Sequence, residues 1–159
     1  MADDVSRFDL TYSNMKAWCE RQKYTFRTND DLEQIAVEYT LIGQPAPLVI
    51  LPQLGRGMVV LVMRQPFVVP PERRLAVIEA CNQLNVTSFM GSWNLNRETG
   101  ELFFRATLIA ADNAYSDAGF LHAARVVVGT SEKAAPAMKS IALDGAEPTA
   151  TIRALTPTA

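Results

Sequence analysis

Chemistry that moves protons or holds a soft metal needs imidazoles, thiolates or carboxylates gathered at one point, and this sequence has few to gather. It contains one histidine, His122, and two cysteines, Cys19 and Cys81. A lone imidazole excludes a two-histidine metal site within one chain and leaves a single candidate base for a serine or cysteine dyad. His122 follows Leu121 in a helical pattern but falls off its apolar template, the ordinary setting of a solvated histidine. Cys19 and Cys81 fall on the apolar faces of two other helical patterns, where a thiol behaves as a small hydrophobe.

Three short motifs invite a chemical reading and fail it. Leu54-Gly55-Arg56-Gly57 has the glycines of a phosphate-cradling loop, but it joins two strand patterns and lacks a Lys-Ser/Thr pair and a following helix. Gly91-Ser92-Trp93 lacks the second glycine and the strand-to-helix setting of a nucleophile elbow. Carboxylates pair only at Asp3-Asp4 and at Asp30-Asp31; the second pair, in a turn, offers oxygen ligands for a weak cation site, although solvation is its usual fate. No catalytic residue, metal ligand or cofactor is assigned, and the expected molecule is not an enzyme.

Composition narrows the partners. Fifteen basic and seventeen acidic residues leave a net charge of −2, so no positive excess is available for nucleic acid or an anionic membrane surface. A chain of 159 residues, 48% hydrophobic and 20% charged, is expected to fold unaided around one core. Two unclustered cysteines suit free thiols in a reducing cytoplasm, and the acidic N-terminus lacks the basic and apolar regions of a signal peptide. The longest strongly apolar run, Met58 to Met63, falls far short of the roughly twenty residues a membrane-spanning helix needs.

The elements that would position any site follow from periodicity. Tyr12, Met15, Trp18 and Cys19 predict a first helix beginning near Thr11. Asn29-Asp30 marks a turn into a one-sided strand over Ile35 to Leu41. Leu48 to Leu51 and Met58 to Val62 are continuously apolar strands, which implies that both faces are covered: one by helices, the other within the same chain or by a partner subunit. Pro70-Pro71-Glu72 opens a second helix to about Val86, with Leu75, Val77, Ile78, Cys81 and Leu84 inward and Asn82 and Asn85 at the border. Phe89 to Leu95 and Glu101 to Leu108 form a hairpin whose connector ends in Gly100. Ser116-Asp117 caps a third helix through Val128, which Gly129 and Pro136 should break or kink before it resumes toward Asp144-Gly145. Residues 8–145 read as one domain and residues 146–159 as a flexible tail.

That element order, together with the passage from Val69-Pro70-Pro71-Glu72 through Asn82-Gln83-Leu84-Asn85 and from Gly91-Ser92-Trp93-Asn94-Leu95 to Glu101-Leu102-Phe103-Phe104-Arg105, resembles the YbjN family of bacterial sensory transduction regulators. The likeness runs from about Tyr12 to Leu143. It implies an α+β fold like that of type III secretion chaperones, a twisted antiparallel sheet flanked by helices in the order α-β-β-β-β-α-β-β-α. It also implies a cytoplasmic, non-enzymatic protein, often a homodimer, that acts through protein contacts. The apolar strands from Leu48 to Met63 and the Ala/Pro/Thr-rich end depart from the pattern.

Two functional readings result. In the first, exposed sheet or helix surface captures a partner protein by strand addition or in an apolar groove, with Met58, Val60, Val62, Phe89, Met90 and Trp93 as contacts. In the second, a small molecule is bound, or weakly processed, between the sheet and the second helix by Asn82, Asn85 and Arg105 beside Trp93.

Overall fold

Helix starts are set by side chains that satisfy orphan backbone N–H groups. The computed structural model describes residues 7–110 and 112–155. A short strand β1 (Arg7–Asp9) leads into α1 (Tyr12–Arg21), where the Thr11 hydroxyl accepts from the Asn14 N–H at 3.1 Å. β2 (Phe26–Asn29) and β3 (Gln34–Val37) form the first hairpin. The strand expected to run to Leu41 stops at Val37, and a separate two-residue hairpin follows, β4 (Thr40–Leu41) with β5 (Gln44–Pro45). Pro45 ends any ladder there because it has no N–H to donate.

β6 (Leu48–Gln53) and the eleven-residue β7 (Met58–Val68) are joined by a tight turn in which Gly57 takes φ 60°. α2 (Arg74–Val86), β8 (Ser92–Leu95), β9 (Glu101–Ile109) and β10 (Ala114–Ser116) come next. Gly100 adopts φ 77°, and a Cβ there would collide with the Val69 carbonyl, so the glycine is required as its position in the connector predicts.

Six strands form one antiparallel sheet in the order β2-β3-β6-β7-β9-β8. Its register lines up Phe26, Val37, Leu48, Met63, Phe104 and Trp93 as one row across all six strands on the inner face. Helices lie against this face, and Leu48, Met63 and Phe104 are at most 1% exposed. β1 pairs with β10, which brings Phe8 to Phe120 at a ring separation of 5.6 Å, while Trp18 meets Phe120 edge-on at 4.7 Å. The α+β class and the helix-flanked antiparallel sheet agree with the sequence reading.

Three further expectations need correction. α3 (Asp117–Leu143) runs unbroken through Gly129 and Pro136, capped by the Ser116 hydroxyl on the Gly119 N–H at 3.0 Å. Its buried stripe of Phe120, Ala124, Val127, Ser131, Ala134, Met138 and Ile141 stays in helical phase across both breakers, so packing on the sheet offsets the roughly 3 kcal/mol that an interior proline costs. Leu75, expected inside, is 73% exposed, and Ala80 takes the inward place with Val77 and Cys81. The stretch expected to be a tail from residue 146 instead folds as α4 (Pro148–Arg153). The Glu147 carboxylate caps α4 by accepting from the Thr149 and Ala150 N–H groups, and Ile152 is 4% exposed in the core. A two-turn helix is too short to leave a period in the sequence. Residues 156–159 lie outside those described.

Candidate interaction surfaces

A strand inside a sheet presents alternate residues to opposite faces. On β6, β7 and β9 every inward position from Leu48 to Gln65 and from Leu102 to Leu108 is buried, and every outward one is partly or fully exposed. The outward residues are nonetheless apolar at the centre: Val49 and Leu51 on β6 lie opposite Val62 and Val60 on β7, and Met58 lies opposite Ile109 on β9. Ile109 is 73% exposed. Arginine flanks the apolar part of one outward row, which reads Arg27, Ala36, Val49, Val62, Arg105, Ser92 across the six strands. Near Arg27 the face sinks into a cleft of about 400 Å³ lined by Ala36, Tyr39, Pro45 and Pro47, with Arg27 and Glu38 paired at 3.2 Å on its rim. Helical cover therefore accounts for one face of the apolar strands only, and burial of the other face within the same chain is overturned.

A second apolar surface lies on the opposite side of the sheet. α3 and the turn from α2 to β8 enclose a groove of about 490 Å³, floored by Leu84, Trp93 and Ala134. Phe89, at the turn, is fully exposed at 106%, whereas Trp93 is 3% exposed and packs on Phe104 at 5.4 Å. The six predicted contacts thus divide into two surfaces: Met58, Val60 and Val62 on the outer face, and Phe89, Met90 and Trp93 at the groove.

The small-molecule alternative loses its lining. Arg105 points outward from β9, away from α2, and Asn82 is exposed. Asn85 is committed to backbone: its Oδ1 accepts from the Trp93 N–H at 2.7 Å and its Nδ2 donates to the Trp93 carbonyl at 3.1 Å. These three residues do not converge.

His122 lines the groove but makes no hydrogen bond or ion pair among the described residues. Burial pushes the Cys19 and Cys81 thiols up to about 12, which keeps them protonated and weakly nucleophilic. At the candidate cation turn, Asp30 accepts from the Tyr12 hydroxyl at 2.5 Å and lies 3.5 Å from the Lys16 ammonium. The hydrogen bond first, and then the lysine charge, hold its carboxyl below the usual carboxylate range. No cluster of three or more His, Cys, Asp or Glu side chains able to hold a metal occurs among the described residues, nor a helix long and apolar enough to cross a membrane.

Val49, Leu51 and Ile109 were not singled out in the sequence. The signal was present for the first two, because an unbroken apolar run places half its members on each face.

Comparison with known proteins bears on these surfaces. The YbjN family, described as "Putative bacterial sensory transduction regulator", matches residues 11–140. The crystal structure of YbjN from E. coli superposes with a TM-score of 0.60 at 11% identity, covering 85% of this chain and 90% of that one. The structure of the HopA1-SchA chaperone-effector complex matches with a TM-score of 0.49 at 6% identity, over 76% of this chain and 91% of that chain. No curated protein matches the chain. At such identities the likeness to YbjN of E. coli is one of fold.

Proposed function

The chain belongs to the YbjN family, and from that premise we propose that it is a non-enzymatic protein-interaction module, chaperone-like or regulatory, which holds a partner protein on the outer face of its sheet. The observation that carries this reading is the apolar centre of that face: Val49, Leu51, Met58, Val60, Val62 and Ile109 have no helix over them. Apolar area buried by a partner is worth about 25 cal/mol per Å², so a few hundred Å² yields several kcal/mol toward association. Arg27 and Arg105, on either side of the apolar part of the row, supply polar rims that set orientation more than affinity. The module works in the cytoplasm, where its two buried thiols remain reduced, and a second copy of the chain is one partner this face suits.

Val60→Glu is the direct test, since Val60 is only half-buried and its replacement leaves the inner core intact. Proteins retained by the immobilised wild-type chain should be lost to the variant, with both melting within a few degrees of each other. Equal retention by the two, or a wild-type chain that is strictly monomeric and retains nothing, would refute the proposal.

A further inference from the structure

We infer that the groove between α3 and the α2–β8 turn is a second docking site, separate from the outer sheet face, for an acidic amphipathic helix of a partner protein. The inference rests on the reading of this chain as a protein-binding module and adds the chemistry of one partner segment.

Charge complementarity selects that segment. His122, Val126, Thr130 and Lys133 fall at helical spacing along one stripe of α3 and form one wall. His122 and Lys133 are the ionisable residues that line the groove, and no carboxylate lines it. Lys133 is exposed and makes no ion pair among the described residues, so its charge is available to a partner carboxylate. The stripe from His122 to Lys133 is about 16 Å long at 1.5 Å per residue, the length of three turns of a bound helix.

An exposed aromatic ring at the opposite wall favours a polypeptide over a small amphiphile. Phe89, at 106% exposure, stands outside the floor of Leu84 and Trp93. A short-chain molecule held on the floor leaves the outer side of Phe89 in water, whereas a helix laid along the groove covers it with its i, i+3, i+4 and i+7 side chains.

The test uses the full chain and two acetylated, amidated 14-residue peptides with leucine at that helical spacing, one with glutamate and one with lysine at the flanking positions. Fluorescence anisotropy should show the glutamate peptide binding at least tenfold more tightly than the lysine peptide. Lys133→Glu should reverse the preference, and Phe89→Ala should weaken the glutamate peptide severalfold; both residues are exposed, so neither change endangers folding. Val60→Glu on the outer face should leave this binding unchanged. Equal affinity for the two peptides, no binding by either, or indifference to Lys133→Glu overturns the inference. So does loss of peptide binding on Val60→Glu alone, which would move the contact to the sheet face and leave the proposed function standing. Dodecanoate binding the groove where neither peptide does overturns it also, as does self-association that Lys133→Glu abolishes without any peptide binding.

Discussion

Asn85 grips both backbone polar groups of Trp93, accepting from its N–H at 2.7 Å and donating to its carbonyl at 3.1 Å. Trp93 lies opposite Phe104 in β8, the last strand of the sheet, so these are the groups an incoming strand would use. A helix side chain thus stands in for a neighbouring strand and blunts the edge. Strand addition, one of the two capture modes open from the sequence, is obstructed at this edge, which shifts weight to docking on a face.

Asn85→Ala should lower stability by about 1–3 kcal/mol, because it leaves a part-buried donor and acceptor without partners. Urea denaturation checks this, and a loss under about 0.5 kcal/mol would mean that water replaces the amide at little cost. The exposed edge should also make the variant more prone to self-associate, which light scattering detects.

Gln65 is 6% exposed at the inner side of β7, and neither its side-chain nitrogen nor its oxygen has a hydrogen-bond partner among the described residues. It sits where the β7–β9 register shifts next to Pro66. Gln65→Met keeps the volume and removes the unpaired polar atoms, so it should raise stability by roughly 1–2 kcal/mol in thermal or urea melts. A loss of similar size would show that the amide is satisfied after all.

Burial raises both thiols to about 12. In the unfolded chain they ionise near 8.5. Below that value both states keep the proton and the contribution to stability is complete. As pH rises toward 12 the unfolded chain releases its protons first, so the contribution falls progressively. Stability measured from pH 8 upward should decline, less so in a Cys19→Ala, Cys81→Ala variant compared with its own value at pH 7. Native protein should resist a thiol reagent at pH 8 and react fully only in denaturant; rapid native modification would contradict the burial.

Ile152 anchors α4 to the core at 4% exposure, and α4 is also tied to α2 where the Gln83 Nε2 donates to the Thr149 hydroxyl at 3.0 Å. Ile152→Ala should cost about 2–4 kcal/mol in urea denaturation. A negligible effect would restore the picture of a dispensable tail.

Local rules made much of this fold legible. Thr11 and Ser116 announced helix starts because a cap acts within three residues, and Gly100 announced its turn because only its own φ and nearest contacts matter. The family resemblance was legible too, carried by the α2 and hairpin residues that the matched span of residues 11–140 contains. The continuous apolar run from Leu48 to Leu51 declared that two faces needed cover.

Only the tertiary structure decided the rest. It kept α3 whole across Pro136, where propensity demands a break, because the stripe from Phe120 to Ile141 gains more from the sheet than the helix loses. It turned Asn85 from a border residue into an edge cap by folding Trp93 back beside it, and it assembled the groove from Leu84, Phe89, His122 and Lys133. It also left Val49, Val60 and Val62 without helical cover. Caps, turns and alternation are energies between near neighbours in the chain, which a sequence displays directly. Which face is buried, and which distant side chains meet, depends on how whole elements pack, and that is settled only when all of them are in place.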